Sequence, residues 1–321
     1  MKFGAFVPQG WRMDLVGIPV AEHWPTMLAT ARRIERLGYD TAWVYDHFHT
    51  VPQPSQEVTY ECWTLMAALA ATTERVRLGQ MCTCNSYRSP AYLAKVASSV
   101  DVISGGRLEF AIGAGWYEHE YLAYGYEYPS DGTRIAQLDE AVQIIKLMWT
   151  EDEATFTGKH YSVKGAINQP KGLQTPHPPL WIAGGGERKT LRIVARYADH
   201  ANFAGTVDQF KQKSAILDEH CGVVGRDPAE IGRTVHMFVT VGTDAADLRK
   251  KVERVAKQIG RTVDKFLGST QTIAGTPEQV IDTLGGFQQA GCSHLTGYFA
   301  DIVWGDSLEV FAAEVAPQLR G

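Results

Sequence analysis

Asp101-Val-Ile-Ser-Gly-Gly-Arg-Leu-Glu-Phe-Ala-Ile-Gly-Ala-Gly-Trp-Tyr-Glu-His-Glu120 joins a helix end, a short apolar run and a loop of glycines and aromatics. Ser104, Gly105 and Gly106 supply the turn chemistry that stops a helix and starts a strand. Leu108 to Ile112 is too short for a helix and too apolar for a solvated edge. It reads as a strand buried on both faces, as in a parallel sheet. Function then belongs at its carboxyl end, Gly113-Ala114-Gly115, where missing side chains let a flat ligand approach the backbone. Trp116, Tyr117, His119 and Glu120 follow. The plain alternative is a tight turn carrying exposed aromatics.

Working outward, strand-like and helix-like runs alternate along the chain. Phe3 to Val7, Thr41 to Tyr45, Val76 to Cys82, Leu108 to Ile112, Leu180 to Ala183, Asp199 to Phe203, Val235 to Val241 and His294 to Phe299 read as strands. The intervening runs have helical periodicity: Ala21 to Leu37, Tyr60 to Thr73, Ala91 to Ile103, Arg134 to Trp149, Arg188 to Tyr197, a run ending near Cys221, Asp244 to Ile259, Pro277 to Ala290 and Ser307 to Leu319. Residues 151–178 break the rhythm with two short strands about a Gly158-Lys159 turn and a proline-rich stretch. They read as an excursion from the fold rather than a domain boundary. Eight strands, each followed by helix, predict an α/β fold, a (β/α)8 TIM barrel with insertions, as one domain over residues 1–321. A doubly wound open sheet is the main competitor.

Composition sets the outer bounds. The chain has 321 residues, 45% hydrophobic and 21% charged, enough to bury a large core. A net charge of -5 without a basic run argues against nucleic acid as a partner. The apolar amino-terminal stretch reads as a first strand stopped by Pro8 rather than a leader, and no run is long enough to span a membrane. Five cysteines without CxxC spacing fit reduced thiols and a cytoplasmic protein.

In a barrel, the residues just after each strand converge on one mouth. After the second strand comes Asp46-His47-Phe48-His49: His47 suits acid or base work near neutral pH, and Asp46 is placed to orient it or a ligand hydroxyl. The opposing reading is a structural histidine at a helix start. The His47-x-His49 spacing also suggests a metal site, but the fifth and sixth strands end without imidazoles, so no metal is expected. After the third strand, Met81-Cys82-Thr83-Cys84 leads to Tyr87 and Arg88; the two thiols would alternate on opposite strand faces and stay inert. Gly184-Gly185-Gly186 before Glu187, Arg188 and Lys189 would open a helix with free N–H groups and cations facing an anion; a tight connection to a solvated helix start is the alternative. Rossmann, Walker, GxSxG and HExxH signatures are absent.

Taken in order, these stretches resemble the bacterial luciferase-like superfamily, and within it the oxidoreductases that use the deazaflavin coenzyme F420. The resemblance rests on Met1 to Gln9, Ala42-Trp-Val-Tyr-Asp-His-Phe48, Val76-Arg-Leu-Gly79, Tyr87-Arg-Ser-Pro90, Ala94-Lys95, Ile103-Ser-Gly-Gly-Arg107, Gly113-Ala-Gly-Trp116 with Glu120, and Trp181-Ile-Ala-Gly-Gly-Gly186. It implies a barrel binding its ring at the carboxyl mouth, over a non-proline cis peptide near Met81-Cys82. It also implies His47 as the catalytic histidine and Asp46, Met81, Cys82, Thr83, Cys84, Ala114, Gly115, Trp116 and His119 as cofactor contacts. The cofactor phosphate would lie at Gly185, Gly186, Arg188 and Lys189. The sugar-phosphate dehydrogenase branch carries a glutamate directly after the Gly-x-Gly of strand four, where this chain has Trp116. Glu118 and Glu120 are close but out of register, so the resemblance does not carry a paired His/Glu relay over to this chain.

Three functions follow as expectations. The first is F420-dependent hydride transfer to or from a small organic substrate, with His47 moving the compensating proton. The second is an FMN-dependent monooxygenase on the same scaffold, and the third a non-catalytic barrel that sequesters a flavin. Trp11, Tyr87, Tyr117, Phe203 and Tyr298 are the expected substrate-pocket aromatics, and the resemblance adds a homodimer.

Overall fold

The computed structural model describes residues 1–320. Eight parallel strands close into a ring: β1 (Lys2–Phe6), β2 (Thr41–Val44), β3 (Arg77–Gln80), β4 (Leu108–Gly113), β5 (Leu180–Ala183), β6 (His200–Phe203), β7 (Gly232–Val241) and β8 (Cys292–Phe299). Each pairs in parallel with its neighbours, and β8 returns to β1 with Lys2 opposite His294 and Ala5 opposite Gly297. The open-sheet alternative is excluded by that closure.

Helices form where the sequence supplies both an apolar stripe and a cap. Ser89 accepts from the N–H of Tyr92 with Pro90 at the first helical position, and Ser130 caps Asp131–Thr150 through Thr133. Thr206 and Gln209 form a reciprocal capping box, and the same helix ends at Gly225 in the left-handed conformation. These helices pack outside the ring against Phe3, Ala5, Leu78, Phe110, Ile112, Ile182 and Val235, all nearly or fully buried.

Inside the ring lies a second set of large side chains: Phe6, Trp43, Tyr45, Trp181, Phe238 and Tyr298. Trp43 fits because Gly4 and Gly79 flank it. A Cβ at either glycine would stand 2.7 Å from its Cδ1 or 2.6 Å from its Cε3, below any ordinary carbon contact. At the floor of the barrel, Glu109 on β4 pairs with Arg77 and accepts from the Trp181 indole N–H at 2.6 Å. A cavity of about 540 Å³ opens at that amino-terminal end, away from the loops that follow the strands.

Several boundaries differ from the expectation. The third strand stops at Gln80 rather than Cys82 and resumes at Thr83–Cys84; between the two lies the Met81-Cys82 peptide, which is cis as the resemblance implied. The helix after β5 starts at Thr190, so Glu187, Arg188 and Lys189 lie in the turn before it rather than opening it. Unpredicted are a short helix at Glu118–Ala123 and a strand at Thr272–Gly275 that pairs with the outer half of β7. The closing helix carries an i→i+5 turn at Phe311–Val315. The excursion is the expected antiparallel hairpin, Ala154–Thr157 with Ser162–Ala166. Among the described residues no helix is long and apolar enough to cross a membrane, and all five cysteines are free thiols.

Candidate active site

The loop after β2 begins with Asp46, which is 2% exposed. Its carboxylate accepts from the Cys84 N–H at 2.9 Å and from both terminal nitrogens of Arg88 at 2.7 and 3.0 Å. Arg88 also reaches Glu61. Burial works against that guanidinium's charge, but Asp46 and Glu61 hold its pKa well above the ordinary value. Asp46, Glu61 and Cys62 are close enough together to suggest a cation site, and Arg88 is the cation between the two carboxylates. Asp46 therefore fastens the chain after the cis peptide to the end of β2.

His47 follows, with its side chain mostly covered. Its Nδ1 lies 2.8 Å from Glu120 Oε2, and among the described residues its Nε2 has no protein partner. Glu120 is fully buried. Burial alone would raise its pKa, but the hydrogen bond and charge of His47 and the N–H groups of His49 and Phe48 hold it below the ordinary carboxylate range. Tyr87 donates its hydroxyl to the same oxygen at 2.8 Å. A carboxylate at Nδ1 fixes the neutral tautomer with a lone pair on Nε2, and it stabilises the imidazolium once Nε2 takes a proton. Trp11 stacks on the imidazole at 4.1 Å, nearly parallel, while Trp116 and Tyr117 meet it edge-on at 5.8 and 5.9 Å.

Glu120 is the carboxylate that the sequence reading named but did not pair with His47. In sequence it is out of register with the mouth. The short helix Glu118–Ala123 turns its side chain back beneath His47, so the His/Glu pairing is present by another route. The only sequence signal was a carboxylate within one helical turn of the strand-four loop.

The two thiols lie in different surroundings, Cys82 against the side chains inside the barrel and Cys84 with Tyr87 and Tyr121. A Cβ at Gly113 would stand 2.7 Å from Cys82 Sγ, and one at Gly115 2.6 Å from Cys84 Sγ. Both sulfurs pack against β4's glycine end, and burial pushes each thiol pKa up to about 12. Gly115 has φ +77 and lies over Tyr121, whose hydroxyl donates to the Ala114 carbonyl. Met81 is buried within the barrel, and the Thr83 hydroxyl is enclosed without a partner.

After β5, the N–H groups of Gly185, Gly186, Glu187 and Arg188 donate to no protein acceptor among the described residues. Four consecutive free donors are what an anion cradle requires. Lys213, from the next helix, donates to the Gly185 carbonyl at 2.9 Å and lies 3.9 Å from the Glu187 carboxylate, a cation that the sequence did not single out and that Glu187 partly balances. Arg188 and Lys189 are exposed beside it.

Two expected pocket residues are corrected. Phe203 is 2% exposed and packs outward against Phe210, because alternation on β6 turns His200 and Asn202 into the barrel and Ala201 and Phe203 out of it. Tyr87 is buried and serves Glu120. Tyr298 is buried inside the barrel with its hydroxyl on Asp14 at 3.0 Å. His119 is exposed, its ring 5.0 Å from that of His49. Trp11, Trp116 and Tyr117 do gather at His47.

A family model described as luciferase-like monooxygenase matches residues 1–294. An F420-dependent glucose-6-phosphate dehydrogenase from Amycolatopsis mediterranei is 26% identical over 320 residues, covering 90% of this chain and 93% of that protein. One of the same description from Nocardia farcinica is 27% identical over 319 residues, covering 89% and 91%. An F420-dependent secondary alcohol dehydrogenase, solved with an F420-acetone adduct, superposes with TM-score 0.81 at 22% identity over 100% of this chain and 99% of that one. A monooxygenase from Streptomyces bottropensis superposes with TM-score 0.79 at 20% identity, covering 99% of each chain.

Proposed function

The chain belongs to the luciferase-like monooxygenase family, and from that membership we propose that it is a coenzyme F420-dependent oxidoreductase acting on a small organic substrate. The observation that carries this reading is the pairing of His47 Nδ1 with buried Glu120, which leaves Nε2 free beside an aromatic wall at the carboxyl mouth.

The residues present fit the coenzyme on two counts. The free N–H groups of Gly185 to Arg188 offer donors to a phosphate, and Lys213, Arg188 and Lys189 add charge suited to a polyanionic tail. The aromatic wall of Trp11, Trp116 and Tyr117 beside His47 suits a flat ring, whereas the space at Gly113 and Gly115 is taken by the sulfurs of Cys82 and Cys84 and the Tyr121 hydroxyl. When bound, the deazaflavin supplies a carbon centre that gives or takes a hydride and has little oxygen chemistry.

The protein's share is positioning and proton transfer. Trp11 and Glu120 hold the imidazole in one plane and one tautomer, so Nε2 takes or gives the substrate's hydroxyl proton without reorienting. Trp116 and Tyr117 shield the same edge from water. Trp116 stands where the sugar-phosphate dehydrogenase branch has a glutamate, so His47 is the single acid/base group offered here and a different substrate is expected.

The FMN monooxygenase reading draws on the same fold. Against it stand the extra cations at the cradle, which match the more anionic coenzyme. The test is a turnover screen with oxidised and reduced F420 against alcohols, ketones and unsaturated rings, followed by deazaflavin absorbance. Oxidation or reduction coupled to one class supports the proposal; oxygen-dependent turnover with FMN alone overturns it.

A further inference from the structure

One charged group at the mouth has no task in that scheme. Arg12, on the loop after β1, carries its guanidinium 4.1 Å from the Trp11 ring centroid, 4.9 Å from Phe238 and 6.0 Å from Tyr45. Trp11 is the ring that stacks on His47. The Arg12 Nε is enclosed with no hydrogen-bond partner, and among the described residues no carboxylate pairs with the side chain.

The nearest acid is already committed. Asp14 accepts from the N–H groups of Gly10 and Gln9 at 2.6 and 3.2 Å and from the Tyr298 hydroxyl at 3.0 Å. Burial lowers the Arg12 pKa; Tyr45 and Tyr298 oppose this, Arg261 adds to it and Asp14 comes last, so no carboxylate acts as a close counter-ion. Aromatic faces offset part of the cost of enclosing a guanidinium, but they leave its in-plane donors unmet. A cation held this way is set up for an oxyanion.

Position says which one. Arg12 lies among Trp11 after β1, Tyr45 after β2, and Phe238 of β7, with Tyr298 of β8 also near it, whereas the glycine cradle follows β5, the strand opposite β1 in the ring. The coenzyme's phosphate and the Arg12 anion therefore sit on opposite sides of the mouth, with His47 on the Arg12 side.

We propose that Arg12 is the substrate's anion anchor: the substrate is an apolar-bodied carboxylate or phosphate whose charged group pairs with Arg12, placing its reacting carbon beside His47. This rests on the F420-dependent reading for the reaction, but not for the binding of the anion.

The test is calorimetric titration of the F420-loaded protein with benzoate and its neutral isostere benzamide, using wild type, Arg12→Lys and Arg12→Gln. A charge-assisted pair is worth roughly 10- to 100-fold in affinity. Benzoate should bind wild type at least about tenfold more tightly than benzamide. Arg12→Gln should abolish that preference, Arg12→Lys should retain part of it, and F420 affinity should be the same in all three. Equal binding of the two probes to wild type would overturn the proposal, even if Arg12→Gln failed to fold. Loss of F420 affinity in Arg12→Gln would also overturn it, by assigning the guanidinium to the coenzyme tail. If F420 does not bind wild type but the benzoate preference still depends on Arg12, the functional reading fails and the anion site stands.

Discussion

His47 is gripped at one nitrogen and open at the other, and the partner that grips it decides what it can do. Replacing His47 with Ala is expected to lower turnover by about 10²- to 10⁴-fold, the range of a lost general acid/base, while F420 affinity changes little; equal loss of both would mean the ring only supports the coenzyme. Glu120→Gln keeps the shape and an acceptor but removes the charge that stabilises imidazolium. It should cut kcat roughly 10- to 100-fold and shift the pH-rate profile, with coenzyme affinity unchanged; an unaltered profile would leave Glu120 a purely structural carboxylate. At this scale the sequence was half legible. A histidine directly after a strand stands out because the strand fixes its place. Glu120 did not, since a one-turn helix too short for a periodicity signal brings it back. Phe203 was misplaced for a simpler reason: on β6 the period-two alternation puts it outside the ring, where it meets Phe210.

The junction of β2, β3 and β4 holds the mouth in shape. Asp46 and Arg88 form a pair with side chains 0% and 11% exposed, tying the turn after the cis peptide to the loop that bears His47. Arg88→Met would leave Asp46 uncompensated in the interior and should destabilise the protein by about 3–5 kcal/mol in urea denaturation. Adding Asp46→Asn should recover much of that loss; no recovery would show that the pair does not act as a unit. Gly115→Ala forces a side chain into the left-handed region and toward Cys84 Sγ and the Tyr121 hydroxyl. A loss of about 1–3 kcal/mol is expected from the thermal midpoint, and an unchanged midpoint would contradict the packing described. The elements themselves were largely readable, because caps and apolar runs are local. The cis peptide at Met81-Cys82 was expected only through the family resemblance; what escaped were features set by neighbours, the strand Thr272–Gly275 that exists only by pairing with β7 and the later helix start at Thr190.

Across the whole molecule, alternation of strand and helix was enough to imply a closed barrel, since few other arrangements bury eight parallel strands. The polar groups that line its interior were not foreseeable, because inward and outward positions separate only once the ring closes. Three of these are histidines. Burial pushes His200 and His236 down to about 4 and His294 to about 3, with nearby cations adding to the effect, from an ordinary 6.5. Between about pH 6.5 and 4 the unfolded chain therefore binds more protons than the folded one, so stability falls as pH drops through that window. The thermal midpoint should decline from neutral pH toward pH 4.5, and His294→Gln should flatten the decline; an identical slope in the variant would contradict the burial of a neutral imidazole. The carboxyl end of the same barrel is where the proposed chemistry stands or falls. Its most direct test is a fluorescence titration of the purified protein with F420 and, side by side, with FMN. The account predicts saturable binding of one F420 per chain, retained in His47→Ala, with FMN at least about tenfold weaker. Tighter binding of FMN, or no binding of either ring, would contradict it.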